Sequence, residues 1–109
     1  AHAEMMAFAT AQQRSQRFRL NQDGDHITLA TSSQPCAMCY GASFWAGIDA
    51  ILIGARADDV QKLAGFDEGP LPDDWLDEWH KRGITVTRDL LRDDACAVLK
   101  EYGESGLVY

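Results

Sequence analysis

The segment Ala50-Ile-Leu-Ile-Gly-Ala55 is a near-continuous apolar run. A strand of this make-up has no polar face to turn to water, so it suits a parallel sheet that helices cover on both sides. Ile27 to Ser32 alternates and is β-branched, which predicts a second strand, and Ile84-Thr-Val-Thr87 predicts a third. Ala3 to about Arg17 mixes apolar and helix-favouring residues without Gly or Pro and predicts a helix. Ala37 to Ala46 predicts another, closing at Gly47. Further helices are expected from about Asp58 to Ala64, from a cap at Asp73 to Arg82, and from a cap at Asp89 to Tyr102, with Gly65, Gly83 and Gly103 as their stops. Between them, Gly65-Phe-Asp-Glu-Gly-Pro-Leu-Pro72 holds too many breakers for regular structure.

The order α-β-α-β-α-α-β-α predicts an α/β layered fold in a single domain of 109 residues. Three short strands make a thin sheet for five helices. The sequence also opens at Ala1-His2-Ala3-Glu4, already inside a predicted helix and with no initiator Met. We read it as a chain that lacks its natural beginning, with further strands expected upstream or from a partner chain.

Ten basic against seventeen acidic residues give a formal charge of −7. Such a surface repels phosphate backbones, and no Lys/Arg cluster offsets it, so extended nucleic-acid binding is disfavoured. No apolar run approaches the roughly 20 residues that span a bilayer, and no signal peptide is evident, so a cytoplasmic location is expected. Three cysteines cannot all pair with one another. Cys96 reads as a buried core residue of the last helix, and His26 and His80 as surface residues.

Cys36 and Cys39 lie three apart at a predicted helix start, so both thiols can reach one ion while the helix N-terminus favours thiolates. Alone, the pair reads equally as a redox couple, half of a closed structural zinc site, or part of a catalytic one. His2 can add a nitrogen ligand, and three protein ligands with an open fourth position is the arrangement of catalytic zinc. Glu4 is two residues from His2, roughly 200° around an ideal helix, so His2 must sit at the helix entry if both are to face one ion. A carboxylate there is the candidate general base.

His2-Ala3-Glu4 together with Pro35-Cys36-Ala37-Met38-Cys39 matches the H-x-E…P-C-x-x-C pattern of zinc nucleobase deaminases. The chain resembles the cytidine deaminase-like superfamily over nearly its whole length. Within that superfamily it is most similar to bacterial guanine deaminases, on Thr31-Ser-Ser-Gln-Pro-Cys-Ala-Met-Cys-Tyr-Gly-Ala42, Gly65-Phe-Asp-Glu-Gly-Pro70, Gly83-Ile-Thr-Val-Thr87 and Leu90-Leu-Arg-Asp-Asp-Ala-Cys-Ala97. Gln34 stands where the family commonly has Glu, which is expected to alter a local salt bridge. The family's strands ahead of the His-x-Glu motif, with an Asn that would hold the base edge, have no counterpart here.

The resemblance implies a three-layer α/β/α fold, here without its first strands, and one zinc per chain on His2, Cys36 and Cys39. It implies hydrolysis of guanine to xanthine and ammonia, with Glu4 passing a proton from the attacking water to the ring. It further implies that Glu68, with Asp67 beside it, meets the amino group, and that a C-terminal segment, through Tyr109 or Tyr102, closes the site, sometimes across a homodimer. Trp45, Trp75 and Trp79 read as core or interface residues, with Trp75 also a candidate for lining the pocket. The rival readings are a deaminase for cytosine, a triazine or tRNA adenosine, and a non-catalytic zinc-binding interaction module. With strands missing, weak or no turnover is expected of the chain itself.

Overall fold

A computed structural model describes residues 2–106 as helices α1 (Ala3–Ser15), α2 (Ala37–Ala46), α3 (Ala57–Ala64), α4 (Trp75–Lys81) and α5 (Arg92–Glu104), with strands β1 (Thr28–Ser33), β2 (Ala50–Ala55) and β3 (Thr85–Thr87). The strands form one parallel sheet in the order β1-β2-β3, with Thr31 opposite Ile53 and Ile51 opposite Val86. The apolar run of β2 therefore occupies the centre, where both of its faces need cover.

Side chains alternate across that centre. Ile51 and Ile53 are fully buried and pack with Phe8 of α1, Tyr40 of α2 and Trp79 of α4. On the other side α5 lies on β2 and α3, and Val60, Ala64 and Leu99 form a second, smaller core with Ala55. The result is the layered α/β/α arrangement expected. The α5 side is incompletely covered: Ala30, Leu52, Leu90, Leu91 and Val98 line an apolar groove of about 430 Å³. Among the described residues no helix is long and apolar enough to cross a membrane.

Several boundaries differ from expectation for identifiable reasons. Asp89 does not cap the last helix. Its carboxylate is taken by Arg56, at 2.8 and 2.7 Å, and α5 begins only at Arg92. Asp89 and Leu91 hold left-handed φ values of +66° and +48° in the turn between β3 and α5. Gly103 does not stop α5 but lies within it, where a Cβ would collide with the Leu63 carbonyl of α3. Asp73 likewise yields to Asp74 as the residue before α4. Cys96 is only half-buried at the edge of the second core. His26 and His80 are exposed.

Candidate active site and metal centre

His2 immediately precedes α1 with extended backbone, φ −67° and ψ 148°. That break from helical geometry lets its imidazole turn the same way as Glu4, as the two-residue spacing demands. Cys36 holds the equivalent place before α2, and Cys39 lies in its first turn. Pro35 precedes them, fully buried.

His2 Nδ1 is 3.4 Å from Cys36 Sγ and 3.6 Å from Cys39 Sγ. All three ligand atoms lie within 4.8 Å of one another, so the group could hold a metal ion. Tetrahedral zinc, with Zn–S of about 2.3 Å and Zn–N of about 2.0–2.1 Å, sets S···N separations of about 3.6 Å. The residues present fit that ion. Cys36 and Cys39 carry free thiols, not a disulfide.

Burial, then the neighbouring Glu4 and Cys36, push the Cys39 thiol well above the ordinary range. Metal binding there would displace the thiol proton.

Glu4 stands beside the ligands. Its Oε2 is 3.5 Å from Cys39 Sγ, and its Oε1 is 3.3 Å from the Thr31 hydroxyl. Glu68 arrives from the loop between α3 and α4, whose path is fixed at two points. The Glu68 carbonyl accepts the Ala37 N–H at 2.8 Å, satisfying one of the free amides at the start of α2. Asp67 Oδ1 accepts the Gly69 N–H at 2.8 Å in a side-chain turn, and Gly69 supplies a φ of +79°. Glu68 is consequently buried, and burial, followed by the charges of Glu4 and Asp67, raises its pKa above the usual carboxyl range.

His2, Glu4, Cys36 and Glu68 line one cavity of about 250 Å³, with Thr31, Ser32 and Ser33 on a hydroxyl-bearing side and Val60, Phe66 and Leu99 on an apolar side. A flat heteroaromatic ring with polar edges suits such a wall pair. A second opening, lined by His2, Cys36, Asp67 and Glu68, leads to the same residues from outside.

Other expected site residues fall elsewhere. Trp75 lines neither cavity: α4 directs its indole edge-on to Trp79, with ring centroids 5.5 Å apart, and its carbonyl accepts the Tyr40 hydroxyl. Tyr102 packs against Phe66 at 5.3 Å, behind the cavity wall. Tyr109 lies outside the described residues. Gln34 makes no salt bridge; it is buried, and its Oε1 accepts the Ala57 N–H at 3.4 Å at the start of α3. Thr31 and Phe66 are cavity residues that the sequence did not single out. The signal for Thr31 was parity, since it shares a face of β1 with buried Leu29.

Comparison with known proteins follows the same line. The family model described as "Cytidine and deoxycytidylate deaminase zinc-binding region" matches residues 1–55. A solved guanine deaminase from Nitrosomonas europaea is 47% identical, with a TM-score of 0.90, over 95% of this chain and 57% of that one. A further structure, a mutant in complex with 8-azaguanine, is 48% identical with a TM-score of 0.90, over 95% of this chain and 58% of the other. A tRNA-specific adenosine deaminase of Streptococcus pyogenes is 32% identical over 105 residues, 96% of this chain and 56% of the relative. The chain thus spans less than three fifths of the length of each of these proteins.

Proposed function

The chain belongs to the cytidine and deoxycytidylate deaminase zinc-binding family, and from that premise we propose that it forms the centre of a hydrolytic deaminase acting on free guanine, releasing xanthine and ammonia. The observation that carries this reading is the convergence of Glu4 and Glu68 with His2 and Cys36 on one cavity of about 250 Å³.

His2, Cys36 and Cys39 would hold the zinc through one nitrogen and two sulfurs. Bound there, zinc supplies Lewis-acid activation of water at neutral pH. The remaining work belongs to the protein. Glu4 takes the proton of the attacking water and hands it to the ring nitrogen next to the carbon that bears the amine. Glu68, whose buried carboxyl keeps a proton to higher pH than usual, faces the exocyclic amine and protonates it as the C–N bond breaks; the proton released from the added hydroxyl as it becomes the product carbonyl replaces the one Glu68 gave up. Asp67, at the outer opening, contacts the substrate edge as it enters. Val60, Phe66 and Leu99 exclude water from the ring faces.

Residues 1–109 are taken as one zinc-dependent deaminase domain, placed in the cytosol and working as a homodimer. Exposed Met6, Met38, Trp45 and Phe18 support the dimer as apolar surface on and around α1 and α2. The 47% identity to a guanine deaminase supports guanine. The formal charge of −7 speaks against tRNA, despite the adenosine deaminase relative. Incubating the zinc-loaded protein with guanine and measuring xanthine and ammonia is the direct test. Turnover of cytosine or tRNA adenosine in the absence of any with guanine would overturn the substrate, and turnover that Glu4→Gln leaves unchanged would favour a zinc-binding module.

A further inference from the structure

We propose that Thr31 is a positioning residue that holds the Glu4 carboxylate in line for proton transfer, an inference that rests on the role given to Glu4 above. Thr31 Oγ1 lies 3.3 Å from Glu4 Oε1 and 2.9 Å from the carbonyl oxygen of Ser33. A hydroxyl has one proton to donate and lone pairs with which to accept. It can donate to the carboxylate, or turn its proton to Ser33 and accept from Glu4, without either partner moving.

The other carboxylate oxygen faces Cys39 Sγ at 3.5 Å. A thiol can donate there, but a cysteine that ligates a metal has given up its proton. In the loaded site the Thr31 hydroxyl remains a side-chain donor within reach of Glu4.

The two side chains differ in stiffness, and that difference gives Thr31 its use. Glu4 is in the first turn of α1, on a side chain with three torsions. Thr31 is β-branched, and its backbone is fixed in β1 opposite Ile53. The sheet thereby imposes a direction on a carboxylate that its own helix leaves free. Proton transfer needs that direction, because misplacement of a reacting group is costly to the rate even when binding is intact.

Zinc-loaded Thr31→Val and Thr31→Ser variants test this. Valine keeps the β-branched shape and removes the hydroxyl, while serine restores it. We expect Thr31→Val to lower kcat for guanine about tenfold or more, the loss equivalent to one hydrogen bond to a charged group. KM should stay within about twofold, the zinc content should not change, and Thr31→Ser should recover most of kcat. Crystal structures of the zinc-loaded wild-type and Thr31→Val proteins supply a readout that needs no substrate: the Glu4 carboxylate is expected to leave its place in the variant. A wild-type protein that turns over cytosine but not guanine, with Glu4 still displaced in Thr31→Val, sinks the substrate reading and leaves the positioning role standing. An unmoved Glu4, an unchanged kcat in an active enzyme, or failure of serine to rescue overturns the positioning role.

Discussion

The carbonyl oxygen of Glu68 accepts the Ala37 N–H at 2.8 Å, which fastens the acidic loop to the first turn of the helix that carries Cys39. The loop and the metal ligands thus share an anchor, and the Glu68 carboxyl is carried into the cavity although glycines and prolines surround it in sequence.

That burial has a cost that replacement of Glu68 should reveal. Its folded pKa is raised, so its contribution to stability is favourable below the ordinary glutamate value of about 4.3 and is lost as pH rises through the folded value. Zinc with two thiolates and a neutral imidazole has no formal charge left to reverse this push. Glu68→Gln should therefore melt higher than wild type at pH 7–8 and show no such gain near pH 4. At the same time kcat should fall by about 10² or more if Glu68 is the proton donor. Equal melting shifts at both pH values would refute the burial argument; unchanged kcat would remove Glu68 from catalysis.

For Glu4, removal of the charge without the shape separates chemistry from metal binding. Glu4→Gln should lose at least about 10² of kcat while keeping its zinc, because the carboxylate touches Cys39 but is not among the grouped ligand atoms. Zinc analysis alongside steady-state kinetics measures both. Zinc lost together with activity would mean that Glu4 serves the metal rather than the proton.

Loading the metal should itself be a proton-release reaction. Burial raises the Cys39 thiol above its ordinary range, so zinc binding must displace its proton. Titration calorimetry in buffers of different ionisation enthalpy should show protons leaving as zinc binds, and affinity should rise with pH. With zinc about 100-fold above its Kd, the melting temperature should rise by about 10 °C or more over chelated protein. Zinc uptake with no proton release would contradict the buried thiol.

What the sequence revealed and what it hid divide by distance along the chain. The bounds of β2 and α2 were legible because a buried strand and a glycine-closed helix are set by their own residues. The gathering of His2, Cys36 and Cys39 was legible because a short motif at each of two helix starts is enough to bring the three together. Asp89 was misread because the residue that claims it, Arg56, is 33 positions away. Trp75 was drawn toward the pocket by its nearness in sequence to the acidic loop, whereas α4 turns it toward Trp79. Thr31 had the right parity, but nothing local says which helix lies across β1.

Gly103 shows the same long-range control and yields a sharp stability test. It reads as a helix stop, yet it marks where α5 crosses α3 with the Leu63 carbonyl against its Cα. Gly103→Ala improves intrinsic helix propensity by about 1 kcal/mol, but the added methyl meets backbone that cannot step aside. The net effect should be destabilisation by about 1–2 kcal/mol in denaturant unfolding. A stabilised variant would show that the α3–α5 crossing is looser than described.

The Arg92–Asp59 pair, joined by two contacts of 2.8 and 3.0 Å, should govern part of the acid response. Arg92, followed by the Arg56 N–H, holds the Asp59 carboxyl far below its usual range. A depressed folded pKa gives stability that is present above the unfolded value of about 3.9 and is lost as pH falls below it. Both side chains are partly exposed, at 39% and 17%, so screening limits the effect and Arg92→Met should lower stability at pH 7 only slightly. The difference between variant and wild type should shrink as pH drops from about 4 toward 2, because Asp59 of the unfolded chain and of the folded variant then takes up a proton that the folded wild type does not bind. Paired unfolding curves across that range decide the matter: a gap that stays constant with pH would mean that Arg92 stabilises through packing, not through Asp59.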